Sequence, residues 1–197
     1  MEQTMTRKQS IFYEAPLTMA LIIINVAIFA ALNAMPQLGE LLLLNPETSL
    51  IRARPWTLLT VFFSQEVHIH LLLNMGFFFV FGKEMEKNHG SAVVLLTYVI
   101  CGFLGSLTFP FFAPVIGWTG PVVGASAAVW GIVAAVSVLQ PKLLVWKHPA
   151  KHYVLALFVG NAALLLMNPA ISIGAAAHAM GIAAGLVCGY VIKRLSF

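Results

Sequence analysis

In 197 residues this chain is 60% hydrophobic and 9% charged, with a mean hydropathy of +0.91. Soluble domains carry about 25% charged residues, so the composition excludes the ordinary water-soluble globular class. The excess of 11 Lys and Arg over 7 Asp and Glu would suit a nucleic-acid partner by count, but where those residues fall excludes it.

A bilayer span takes about 20 mostly apolar residues, and six runs come near that length. The first, Leu17–Ala34, follows Arg7 and Lys8 and has no convincing small-residue cleavage site. It reads as a retained span rather than a signal peptide. The second, Val67–Phe81, is short and borrows polar flanks that include Lys83 and Lys87. The third is Val93–Phe112. The fourth, Val122–Leu139, is entered through the turn-like "GWTGPVVG" (Gly117–Gly124), which predicts a helix starting just before Ser126. Lys142, Lys147 and Lys151 separate it from the short fifth run, Val154–Met167. "MNPAISIG" (Met167–Gly174) breaks the chain there, and the sixth run, Ile171–Ile192, ends on Lys193 and Arg194.

The basic residues therefore gather on one side, with only Arg52 and Arg54 on the other, and the positive-inside rule puts both termini in the cytoplasm. The expectation is an all-α polytopic membrane protein, a single six-helix domain over 1–197 with short tails. Cys101 and Cys188 both lie inside apolar runs and give neither a disulfide framework nor metal-ligand spacing.

Polar residues inside these runs carry the functional signal, because membrane proteins keep such groups for the bundle interior. Ser126 in "GASAAVWG" lies 16 residues before Lys142, and His178 in "AAAHAMGIAAG" lies 15 before Lys193. At about 1.5 Å per residue both sit roughly 22–24 Å from the cytoplasmic end. In a hydrocarbon core of about 30 Å this puts them at one level, about 5–10 Å below the outer surface. Gly181, Gly185 and Gly189 follow the histidine on one helical face, and Gly124, Ala127, Ala128 and Gly131 surround the serine. Small residues at this spacing let two helices approach closely. Taken alone, the glycines read as a plain packing face, and each polar side chain as a hydrogen bonder between helices.

A serine becomes a nucleophile when a base takes its proton, and histidine is the usual base. The chain has no aspartate, and all of its glutamates precede residue 87. A carboxylate-assisted triad is therefore disfavoured, and a Ser126–His178 dyad remains. Trp130, one turn from Ser126, is placed to stack on the imidazole in place of the missing carboxylate. Acyl transfer also needs donors at the developing oxyanion. "HIHLLLNMG" offers His70 and Asn74 on one helical face, and the Ser126 N–H lies at a predicted helix start.

These residues resemble those of the rhomboid intramembrane serine proteases of the basic six-helix bacterial type, over essentially the whole chain. The resemblance rests on Gly124-Ala125-Ser126, on His178 with Gly181 and Gly185, and on "HLLLNMGFFFVFGKEMEKNHG" with His70, Asn74, Gly82, Glu86 and Gly90. It implies Ser126 as nucleophile, His178 as general base, and His70, Asn74 and the Ser126 N–H as oxyanion partners, while the small-residue spacing makes Gly124, Gly181 and Gly185 the helix-packing positions. It further implies transmembrane protein substrates cut near the outer edge of the cell's inner membrane, without metal or other cofactor. Three positions depart from the pattern: Trp56-Thr57 replaces a Trp-Arg pair, with Arg54 displaced by two; Gln65 stands where histidine is frequent, and Ala127 where glycine is.

Two other readings compete. An inactive rhomboid-like protein would bind membrane clients without cutting them. A small transporter would line a polar pathway with His70, Asn74, Ser126 and His178, but no acidic residue lies in mid-span and no inverted repeat is evident. Lateral substrate access is expected at the short fifth run, through contacts of Phe158 and Leu165 with the second. The sequence sets no oligomeric state.

Overall fold

The structure, a computed structural model, describes residues 14–65, 67–169 and 172–195. The described chain is mostly helical. Helix α1 (Pro16–Ala34) leads through a single 3-10 turn into three short helices, α2 (Gly39–Leu42), α3 (Thr48–Ala53) and α4 (Thr57–Thr60). A second 3-10 turn at Val61–Phe63 precedes α5 (His68–His89), α6 (Ser91–Ser106), α7 (Phe109–Ile116) and α8 (Ser126–Leu139). A small antiparallel ribbon, Leu144–Val145 with His148–Pro149, then leads to α9 (Ala150–Met167) and α10 (Ala175–Leu195).

Four stretches among the described residues are long and apolar enough to cross a membrane: Pro16–Ala34, Ser91–Ile116, Ala150–Met167 and Ala175–Leu195. Their outer faces are apolar as well: Leu166 is 85% exposed, Met167 82% and Phe111 77%. A water-soluble surface does not carry such a continuous apolar coat. The chain is a multi-pass membrane protein. Two further helices join the bundle without meeting that test. Helix α5 is long but carries Lys83, Glu84, Glu86 and Lys87 near its end, and α8 has 14 residues, about 21 Å.

Several boundaries differ from the sequence expectation, each for a local reason. The third run is two helices, because Pro110 has no N–H for the Ser106 carbonyl and its ring clashes there, so α6 stops and α7 restarts. The fourth apolar run, by contrast, opens in a loop and its helix starts at Ser126, as the Gly117–Gly124 turn predicts. Val122 instead donates to the Leu44 carbonyl at 2.8 Å, and Gly124 takes a φ of +134°, outside any helix. Helix α5 continues past Phe81 to His89, where Gly90 with a φ of +87° ends it. Helix α10 begins at Ala175, and Ile171 lies outside the described residues.

Helix α8 is the axis of the molecule, with ten of its fourteen residues buried. Lipid supplies no hydrophobic force between helices, so close backbone contact must hold them. On α10, a Cβ at Gly181 would strike the Ala127 carbonyl, one at Gly185 the Gly131 carbonyl, and one at Gly189 would lie 2.8 Å from the Ala135 carbonyl. The expected glycine face therefore lies flat on α8. From the other side, a Cβ on Gly105 of α6 would sit 2.5 Å from that of Ala127.

Polar clamps fix the remaining elements. Helix α1 has no side-chain cap of its own; the buried Glu86 carboxylate of α5 accepts from Leu17 N at 2.9 Å, Thr18 N at 2.7 Å and Thr18 Oγ1 at 2.6 Å. An anion at a helix N-terminus satisfies its unpaired N–H groups and complements its dipole. Nearby, Lys83 and Lys87 reach Glu14, and hydrogen bonding and charge from Lys83 hold its carboxyl below the usual carboxylate range. Deeper in, Asn25 of α1 donates to the Tyr98 hydroxyl at 3.2 Å, and Tyr98 donates to the Phe62 carbonyl at 2.8 Å. This chain of bonds seats the Val61–Phe63 turn, whose Val61 carbonyl accepts from Gly124 N. The first loop is anchored despite its departure from the Trp-Arg pattern: Trp56 Nε1 donates to the Leu41 carbonyl at 2.9 Å, and Arg54 donates to the Glu40 carbonyl.

Candidate active site

Ser126 opens helix α8. The loop ahead of it and the close approach of α10 behind it decide where its hydroxyl points. His178 lies in the first turn of α10, and its Nε2 is 2.7 Å from Ser126 Oγ. The two residues expected at one depth are in direct hydrogen-bond contact. Ser126 is 6% exposed, buried at the foot of a cavity of about 290 Å³ that His70, Trp118, Gly124, Gly174 and His178 help to line.

The imidazole is held on three sides. Trp130 stacks on its face with ring centroids 3.9 Å apart and planes 27° from parallel. Nε2 faces the serine. Nδ1 lies 2.8 Å from Oδ1 of Asn161, a residue of α9 that the sequence reading passed over. The Asn161 side-chain NH₂ donates to the Ala175 carbonyl at 3.0 Å. A signal for Asn161 did exist: it is the one amide inside the otherwise apolar fifth run.

Gly124 was expected to pack helices, and the structure corrects this. It stands in the loop at a φ of +134°, where a Cβ would lie 3.1 Å from His70 Cε1 and 3.3 Å from Ser126 Oγ. Its role is to let the chain pass between a ring and a hydroxyl. Gly181 and Gly185 lie against the backbones of Ala127 and Gly131. Gly174 makes a similar close approach: a Cβ there would come within 3.1 Å of His178 Cε1.

His70 lines the cavity beside Gly124. Asn74, one turn further along α5, is buried, and its Nδ2 donates to Gln65 Oε1 at 3.2 Å. It is not among the described cavity-lining residues. The Gln65 Nε2 is buried with no partner among the described residues. Helix α8 leaves the N–H groups of its first turn without intrahelical acceptors, and the Ser126 N–H is the first of them. No cluster of three or more His, Cys, Asp or Glu suited to a metal occurs among the described residues.

Helix α9 is the least buried of the long helices, with only Ala150 fully buried. Its contact with α5 differs from expectation. Phe158 is 50% exposed, and the packing runs instead through Tyr153 against Phe77 and Phe81, with ring centroids 6.2 and 5.5 Å apart.

The family model described as a rhomboid domain matches residues 52–195. The chain belongs to the rhomboid family. Two relatives show its range. The rhomboid protease GlpG of Haemophilus influenzae is 26% identical over 138 residues, 65% of this chain and 65% of that protein. Inactive rhomboid protein 1 of Drosophila melanogaster is 30% identical over 127 residues, 63% of this chain but 8% of that protein. The chain thus spans less than two thirds of the length of either relative. One relative is named a protease and the other inactive, so this rhomboid's activity must be argued from its own residues.

Proposed function

We propose that this rhomboid is an intramembrane serine endopeptidase that cuts transmembrane segments of other proteins near the outer edge of the membrane. The observation that carries the reading is the 2.7 Å contact between His178 Nε2 and Ser126 Oγ at the foot of a cavity. Ser126 Oγ attacks the scissile carbonyl carbon while its proton passes to His178 Nε2. The carbonyl oxygen becomes an oxyanion, met by the Ser126 N–H at the start of α8 and by His70 and Asn74. The tetrahedral species collapses to an acyl-enzyme as His178 returns the proton to the leaving amine. Water, activated by the same histidine, then frees the acid and restores the serine. None of these steps calls for a metal or cofactor.

In this reading the whole chain is one six-helix unit. Helix α5 spans with its charged end at the cytoplasmic face, and the short α8 spans inside a ring of neighbours. The lysines and arginines near Lys83, Lys142 and Lys193 put both termini in the cytoplasm of an inner-membrane protein. A buried site suits a transmembrane substrate, which arrives sideways from lipid while water reaches the cavity from outside.

A second reading, a client-binding protein without activity, is favoured by the similarity to the inactive relative. A covalent test separates the two. A fluorophosphonate probe applied to purified protein is expected to form an adduct that peptide mass mapping assigns to Ser126, and that Ser126→Ala and His178→Ala both lose. Failure of the folded wild-type protein to react would favour the inactive reading.

A further inference from the structure

We propose that Asn161 of α9 is a positioning residue that takes the place of the absent triad carboxylate, fixing the tautomer and ring orientation of His178; the proposal deepens the protease reading and rests on it. The hydrogen bonds leave one consistent assignment. The Ala175 carbonyl can only accept, so the Asn161 NH₂ must face it, at 3.0 Å. That turns Oδ1 toward His178 Nδ1, 2.8 Å away. An amide oxygen also only accepts, so Nδ1 must carry the proton. Neutral imidazole then has its lone pair on Nε2, the nitrogen 2.7 Å from Ser126 Oγ, ready to take the hydroxyl proton. In the other tautomer two lone pairs would oppose each other at Nδ1, and Nε2–H would point at the group it must deprotonate.

Trp130 covers the ring face and stops it tilting, but a stack does not choose between the nitrogens. Asn161 does. It also differs from a carboxylate in a predictable way. When the proton moves to Nε2, the imidazolium gains a neutral acceptor rather than a negative charge, so its stabilisation is weaker than in an Asp-assisted triad.

The test uses the full chain in detergent, with isotope-labelled histidine. The His178 signal is assigned by its loss in His178→Ala, and nitrogen shifts report which ring nitrogen carries the proton. Wild-type protein is expected to be protonated at Nδ1 and the Nδ1 preference to disappear in Asn161→Leu. Cleavage of a labelled single-span substrate is read in parallel. Asn161→Leu should lower kcat about tenfold, the scale of one lost hydrogen bond, with KM little changed because the residue acts on the base. Asn161→Asp gives up the bond to the Ala175 carbonyl but keeps an acceptor for Nδ1, so it should restore the Nδ1 proton and part of the rate, and shift the acidic limb of the pH profile upward, since a carboxylate stabilises the imidazolium. His70, the titratable group across the cavity, is common to all variants.

A wild-type Nδ1 without a proton overturns the proposal, whether or not the variants fold. So does a folded Asn161→Leu with wild-type kcat, or a folded Asn161→Asp no better than Asn161→Leu. Equal cleavage by wild type and Ser126→Ala would instead refute the protease reading, and the tautomer measurement would still stand.

Discussion

A serine hydroxyl and an imidazole do little singly; the proposed chemistry belongs to the pair. Removing either should therefore cost as much as removing both. Ser126→Ala, His178→Ala and the double variant are expected to show the same residual cleavage in a quantitative fragment assay. A double variant clearly worse than both singles would mean that the two residues act independently. Gly124 carries a different burden, since its φ of +134° is strained for any L side chain. Gly124→Ala should cost about 1–3 kcal/mol of stability and lower kcat, because its methyl would press on the His70 ring and the Ser126 hydroxyl. A melting curve and a rate at wild-type values would contradict that account of the loop. Ser126, His178 and Trp130 were legible from their spacing because each lies on an apolar run along which depth can be counted from the basic residues at its end. Asn161 was not. Counted from Lys151, ten residues away, it falls about 15 Å into the membrane, well short of the serine. The count differs because the basic residues share no common helical offset: Lys151 lies in the first turn of α9 and Lys193 in the last turn of α10, whereas Lys142 stands three residues beyond the end of α8.

At the scale of elements, backbone contact between α8 and α10 places His178 against Ser126. Gly185 meets the Gly131 backbone two turns from His178. Gly185→Val should separate the helices, costing at least about 1–3 kcal/mol as an overpacked site does. Activity should fall with the melting temperature although no proposed catalytic group is touched. Normal stability and activity in Gly185→Val would mean that this contact does not set the dyad. The stripe of glycines was visible in the sequence because small residues four apart define one face. The break in the third run was not, because apolar content alone cannot separate one helix from two. Pro110 marks that break, and the "GWTGPVVG" turn places the start of α8 just before Ser126, where it lies. The place of Gly124 in the loop depends on a backbone angle that residue type only permits.

For the whole molecule, the construction is consistent from end to end. Glu86 caps α1 at one end of the bundle, Tyr98 ties α1 to the turn beneath the cavity, and α8 carries the serine from the centre. The α-helical class and the membrane setting followed from composition. Among the described residues the long apolar helices number four rather than six, because α5 ends in charges and α8 is short enough to need protein around it. The central claim is that this assembly cuts peptide bonds within the membrane with Ser126. Its most direct test is to reconstitute the protein in lipid vesicles with a single-span substrate labelled at both ends and follow the fragments by mass. The account predicts two fragments that meet within the transmembrane segment near its outer edge, and none with Ser126→Ala. Substrate retained intact by folded wild-type protein, or fragments that persist with Ser126→Ala, would contradict it.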